Sequence, residues 1–168
     1  MMPARALAWV MCPIIALAAV AVRAETLKAW SGGPAPQLRA RTLAGQDVRL
    51  EDFAGRTVIV NFWATWCAPC VAEMPALQRL RDKLAADRVE VIAVNFQENA
   101  ARIQPFVEKL MLTFPVVRDH DGALRAAWRV NVFPSSFVIG PDQRVALFAA
   151  GEIEWDDRAV ESRIRSLR

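Results

Sequence analysis

Histidine and cysteine are scarce in this 168-residue chain, with one His and three Cys, and it has no long polar or Gly/Ser-rich tract and no internal repeat. Each absence narrows the possibilities. A disordered chain is excluded, because 54% hydrophobic and 23% charged residues suit a packed core. The length leaves room for one domain, since typical domains hold roughly 100 to 150 residues. No basic cluster is interleaved with aromatics, so nothing marks an electrostatic footprint for nucleic acid.

The start of the chain carries part of the apolar excess. Arg5 precedes an apolar run from Ala6 to Val22, broken only by Pro13, and Val22-Arg23-Ala24 precedes Glu25. This pattern reads as a secretory signal, residues 1–24, cleaved after Ala24, with an uncleaved membrane anchor as the alternative. Cys12 lies inside it without the small residues that precede a lipidated cysteine, and no function is assigned to it. Loss of the leader removes Arg5 and Arg23, leaving 19 basic against 18 acidic residues and two cysteines. The expected location is periplasmic or otherwise extracytoplasmic.

Residues 25–36 contain Ser31-Gly32-Gly33-Pro34-Ala35-Pro36 and read as a linker ahead of a domain spanning 37–168. Two short strands around Ala44-Gly45-Gln46-Asp47 suit a hairpin on the edge of the fold. Thr57 to Trp63, with Val58, Ile59 and Val60, reads as a strand buried on both faces. Val71, Met74, Leu77, Leu80 and Leu84 then recur at helical spacing. Val89 to Val94 is the next strand, and Ile103, Phe106, Val107, Leu110 and Met111 mark one face of a second helix. That order completes a parallel crossover. A short strand at 114–117, a short helix at 123–128, a hairpin pairing 136–139 with 145–149 around Pro141-Asp142, and a helix at 155–167 follow.

Trp66-Cys67-Ala68-Pro69-Cys70 sets two thiols three residues apart where a buried strand gives way to a helix. Free N–H groups in the first turn, together with the helix dipole, stabilise an anion there and lower the pKa of the leading thiol. Cys67 is therefore the expected nucleophile. Cys70, one turn later and among apolar neighbours, is the expected resolving thiol in a dithiol-disulfide exchange that needs no bound cofactor. A structural disulfide is the bland alternative, but so small a loop removes little unfolded-state entropy. A zinc site would want two further Cys or His ligands, and beyond the leader only His120 is available. Flanked by Asp119 and Asp121, His120 reads as a solvated turn residue.

The run Asn61-Phe62-Trp63-Ala64-Thr65-Trp66-Cys67-Ala68-Pro69-Cys70, with Glu73-Met74-Pro75, Phe114-Pro115 and Val132-Phe133-Pro134-Ser135-Ser136-Phe137, resembles the thioredoxin superfamily and, more narrowly, its TlpA/ResA-like extracytoplasmic branch. The resemblance runs from about Pro36 to the C-terminus. It implies an α/β thioredoxin-like fold, with a central mixed sheet flanked by helices and an N-terminal β-hairpin extension. It also implies that Pro134 is a cis-proline facing the cysteine pair, and that Phe133 offers its backbone to an extended client segment. Glu73 matches an acid kept three residues after the second cysteine, where partial burial would raise its pKa and let it take the thiol's proton; a solvated helix residue is the alternative. Ordinary thioredoxins have a buried Asp where this chain has Asn61, which cannot titrate. Pro75 should kink the helix. Trp63 reads as core, and Trp66 as part of the apolar rim a partner covers or as packing.

Ala68-Pro69 places no cation beside Cys67, so the strong thiolate stabilisation of oxidants is absent and a disulfide reductase is expected. The relatives suggest clients such as apocytochrome c haem-attachment cysteines or copper-site cysteines, electrons from a membrane thiol transporter, and action as a monomer. Two other readings stand beside this one. A redoxin-type peroxidase would use a lone peroxidatic Cys in a different loop, and a non-catalytic copper carrier would bind through both cysteines and a distal histidine.

Overall fold

The computed structural model describes residues 26–30 and 33–167. The expected leader lies outside them. Among the described residues, no helix is long and apolar enough to cross a membrane.

Among the described residues the chain forms eight strands and four α-helices. In order they are β1 (Lys28–Ala29), β2 (Arg39–Arg41), β3 (Asp47–Arg49), β4 (Thr57–Trp63), α1 (Ala68–Lys83), β5 (Val89–Phe96), α2 (Ala100–Lys109), β6 (Val116–Asp119), α3 (Ala123–Ala127), β7 (Ser135–Ile139), β8 (Val145–Ala150) and α4 (Arg158–Arg165). Six strands form one mixed sheet in the order β1-β8-β7-β4-β5-β6, and β2 pairs with β3 as a separate hairpin. β4, β5 and β6 run parallel, while β7 is antiparallel to β4 and β8 to β7. This is the expected mixed sheet with its hairpin extension.

β4 lies in the middle of the sheet because both of its faces are apolar. Ile59 and Trp63 enter the core cluster that includes Met74 and Leu77 of α1, Ile103 of α2 and Ile164 of α4. Val58, Val60 and Phe62 point the other way, into a cluster with Leu38, Val48, Trp128 and Phe137. The strand period of two separates the sets. Asn61 falls in register with Ile59 and Trp63, so its amide is directed under α1 rather than toward the hairpin.

Several boundaries differ from the expected ones for local reasons. Within the segment read as a linker, Leu27 is buried and β1 pairs Lys28 with Phe148 and Ala29 with Leu147, because β8 would otherwise be a bare edge. Met111 does not join the buried face of α2. The helix ends at Lys109, Met111 turns to a φ of 51°, and its side chain is 78% exposed. The last helix starts at Arg158, after Asp157 accepts a hydrogen bond from Ala159 N–H, and Trp155 is fully buried ahead of it. α1 continues through Pro75.

Asn99 caps α2 by accepting the Arg102 N–H at 2.9 Å. Loss of such a cap costs roughly 1 kcal/mol. Asn99→Ala should therefore lower the urea midpoint by the equivalent of about 1 kcal/mol with an unchanged slope, as read by equilibrium denaturation.

Candidate active site

β4 ends at Trp63, and the turn through Ala64, Thr65 and Trp66 delivers Cys67 as the N-cap of α1. The turn closes with Cys67 N–H donating to Ala64 C=O at 3.2 Å. Cys67 and Cys70 are joined as a disulfide, and Cys67 Sγ accepts the Cys70 N–H at 3.3 Å. Cys70 is fully buried, and Cys67 is 6% exposed. Of the two, only Cys67 keeps any exposure, and it sits on a helix N-terminus, where N–H groups favour an anion.

Glu73 follows Cys70 by three residues along α1 and is buried. Its Oε1 accepts from Asn61 Nδ2 at 2.7 Å, and its Oε2 accepts from Ile153 N–H at 2.9 Å. The solvated alternative fails on that burial. Burial pushes the Glu73 carboxyl up to about 7. The hydrogen bonds from Ile153 and Asn61 oppose that rise, as does the Trp155 indole N–H, which interacts with Glu73 outside hydrogen-bond geometry, whereas the nearby charge of Glu152 adds to it. Asn61 Nδ2 also donates to Ser136 Oγ at 3.0 Å, tying β4 and β7 together beneath the carboxylate.

The Phe133–Pro134 bond is cis, and Pro134 C=O accepts Gly151 N–H at 2.8 Å. Phe133 meets Trp66 edge-on, with ring centroids 5.7 Å apart, so the turn before Cys67 and the loop before Pro134 touch. Trp66 is 59% exposed and Val132 46%, which leaves an apolar rim beside the cysteines. Trp63 is fully buried. His120 is exposed, and no cluster of three or more His, Cys, Asp or Glu among the described residues could hold a metal.

Helical and strand periodicity gave no sign of a second polar group here. Glu98 accepts from Thr65 N–H at 2.7 Å and from Asn95 Nδ2 at 2.8 Å with Oε2, while Oε1 accepts from the Thr65 hydroxyl. Phe96, the last residue of β5, packs against Phe133 with ring centroids 5.3 Å apart. The signal in the sequence was only an acid just past the end of β5, the parallel neighbour of β4.

The model of the AhpC/TSA family matches residues 31–148. The chain belongs to that family. Among its relatives, the thiol-disulfide oxidoreductase ResA of Geobacillus kaustophilus (strain HTA426) is 34% identical over 137 residues, which cover 82% of this chain and 78% of ResA. A solved structure described as a thiol:disulfide interchange protein of the DsbE kind, from Chlorobium tepidum, superposes with a TM-score of 0.75 at 29% identity, covering 84% of this chain and 99% of that one. A secreted Mycobacterium tuberculosis disulfide oxidoreductase, homologous to E. coli DsbE, gives 0.68 at 25% identity, covering 78% and 96%. This member of the AhpC/TSA family is a thiol-disulfide oxidoreductase with a thioredoxin-like fold. The cysteine pair among its described residues is Cys67 and Cys70, joined as a disulfide.

Proposed function

We propose that this enzyme works outside the cytoplasm as a reductase of client-protein disulfides, with Cys67 as nucleophile, Cys70 as resolving thiol and Glu73 as the proton acceptor for Cys70. The observation that carries the proposal is the stack of a helix-capping sulfur, a buried second sulfur and a buried carboxylate along one helix. In the reduced enzyme the Cys67 thiolate attacks one sulfur of a client disulfide. A Cys67–client bond forms, the client's S–S bond breaks, and the other client sulfur leaves with the electron pair. Cys70 gives its proton to Glu73 and attacks Cys67 Sγ, which releases the second client sulfur. The client gains two electrons, and the enzyme ends as the disulfide. The proton leaves Glu73 through an open pocket of ≈ 420 Å³ lined by Glu73, Ala76, Glu152 and Trp155, among others.

Trp66, Phe133 and Pro134 form the client-binding rim, with the client segment extended alongside residue 133 as an added strand. The secreted relative and the apolar leader support an extracytoplasmic site. A membrane thiol transporter would return two electrons to the Cys67–Cys70 disulfide, and apocytochrome c or copper-site cysteines are the clients we favour. Action as a monomer, without cofactor or nucleic acid, belongs to the same reading.

The purified domain should reduce insulin disulfides in the presence of dithiothreitol and should have a Cys67–Cys70 potential near that of thioredoxin, roughly −270 mV. A value near roughly −120 mV would reverse the direction of electron flow. Faster consumption of hydrogen peroxide with insulin left untouched would favour the peroxidase reading. Tight Cu(I) binding that is lost on His120→Ala would favour the carrier.

A further inference from the structure

The turn that carries the nucleophile has few anchors of its own. Trp66 is mostly exposed, so burial does not fix it, and within the turn the Cys67 N–H to Ala64 C=O bond is the closing contact. What fixes residue 65 comes from the loop after β5. Glu98 takes the backbone N–H and the hydroxyl of Thr65 on its two carboxylate oxygens, and its side chain is only 9% exposed. Asn95 Nδ2 donates to the same carboxylate at 2.8 Å. Arg102, in the first turn of α2, donates from Nε to Thr65 Oγ1 at 3.0 Å and lies 3.6 Å from Glu98 Oε1. Thr65 Oγ1 thus donates on one side and accepts on the other, with its hydrogen-bonding capacity used on both.

We infer that Glu98 is a positioning residue for thiol-disulfide exchange, clamping Thr65 so that Cys67 Sγ stays on the axis of the α1 N-terminus. The inference rests on the proposed role of Cys67 as the attacking thiolate. A thiolate gains from helix N–H groups only while it lies close to them, and the effect falls off within the first turn. Hydrogen bonds to a carboxylate are about twice as strong as neutral ones, which makes this clamp a firm support for the turn. The end of β5 just before that loop also backs the client side of the site, since Phe96 packs on Phe133 and the Arg125 guanidinium lies over Phe96 at 5.3 Å.

Two ways for Glu98 to act make opposite predictions. If its negative charge were what mattered, Glu98→Gln and Glu98→Ala would behave alike, and both would favour the thiolate by removing a nearby anion. If it acts as a clamp, glutamine keeps an acceptor for the Thr65 N–H and largely preserves the parent rate, whereas alanine does not.

The test is the rate at which iodoacetamide alkylates Cys67 in the reduced full-length protein at pH 7, with unfolding midpoints measured alongside to correct for folded population. Glu98→Ala should be about tenfold slower than the parent, equivalent to about one pH unit of thiolate population. Glu98→Gln should fall within about threefold of the parent on the same scale. Thr65→Val should be slowed and Thr65→Ser should not, a comparison that stands even if Glu98→Ala does not fold. Rates equal to the parent in every variant, or faster in both Glu98 variants, overturn the inference. Free cysteine measured in the same run separates the two levels. A parent Cys67 no faster than free cysteine defeats the role of Cys67 itself, whereas a fast parent with unaffected variants defeats only the clamp.

Discussion

Cys70→Ser should turn the enzyme into a trap, cutting insulin reduction by more than about a thousandfold while a Cys67–client mixed disulfide accumulates. The asymmetry follows from burial. Cys67 is the less enclosed of the two and caps the helix, so on the proposed assignment it still attacks when its partner is gone. Cys70 is fully buried within the first turn of α1, so its loss removes the thiol placed three residues away to displace the client. Cys67→Ser should lose activity to the same extent but form no adduct, because the buried Cys70 cannot meet a client disulfide. Non-reducing electrophoresis and mass spectrometry of each variant incubated with a disulfide-bearing protein distinguish the two. A mixed disulfide on Cys70 in the Cys67→Ser variant would invert the assignment of nucleophile and resolving thiol.

The residues that made the fold legible are those whose pattern is local. Thr57 to Trp63 reads as a doubly buried strand because every residue from Val58 on is apolar except Asn61, and it occupies the interior of the sheet. The helix after Cys67 was readable from Met74, Leu77 and Leu80, which the core encloses. Less legible features depend on partners distant in sequence. β1 is two residues long, too short for any alternation, and exists only because β8 offers an edge. Met111 fits the helical period of α2, yet the backbone leaves the helix just before it, and periodicity cannot register a change of φ. Glu98 was invisible for a related reason, since its meaning lies in a hydrogen bond to a residue 33 positions earlier. Glu73, by contrast, could be picked out because it shares a helix with Cys70. Its burial depends on Ile153, some 80 residues later, which no spacing within α1 could reveal.

Glu73→Gln should leave its mark on pH dependence. In the parent, the carboxyl titrates at about 7, so below that pH it holds a proton and cannot accept another. The rate at which Cys70 resolves a preformed mixed disulfide should therefore climb as pH rises through about 7, as rapid-quench trapping would resolve. With glutamine there is no base, and resolution should slow by about a hundredfold at pH 7.5, general-base assistance typically supplying 10² to 10⁴. Stability supplies an independent readout of the same carboxyl. A carboxyl raised in the folded protein binds more protons there than in the unfolded chain, so its contribution is full below the unfolded value of 4.5 and is lost as pH rises through about 7. A rise of that size is worth about 3 kcal/mol. Asp156 and Glu161 have carboxyls lowered chiefly by hydrogen bonds from Arg79 and Lys83, and they bias stability toward higher pH, but they lie at the surface and are common to both proteins. Subtracting the urea stability of oxidised Glu73→Gln from that of the oxidised parent isolates the one group. The difference should fall between about pH 4.5 and 7.5; a flat difference would mean that Glu73 stays ionised throughout and takes no proton from Cys70.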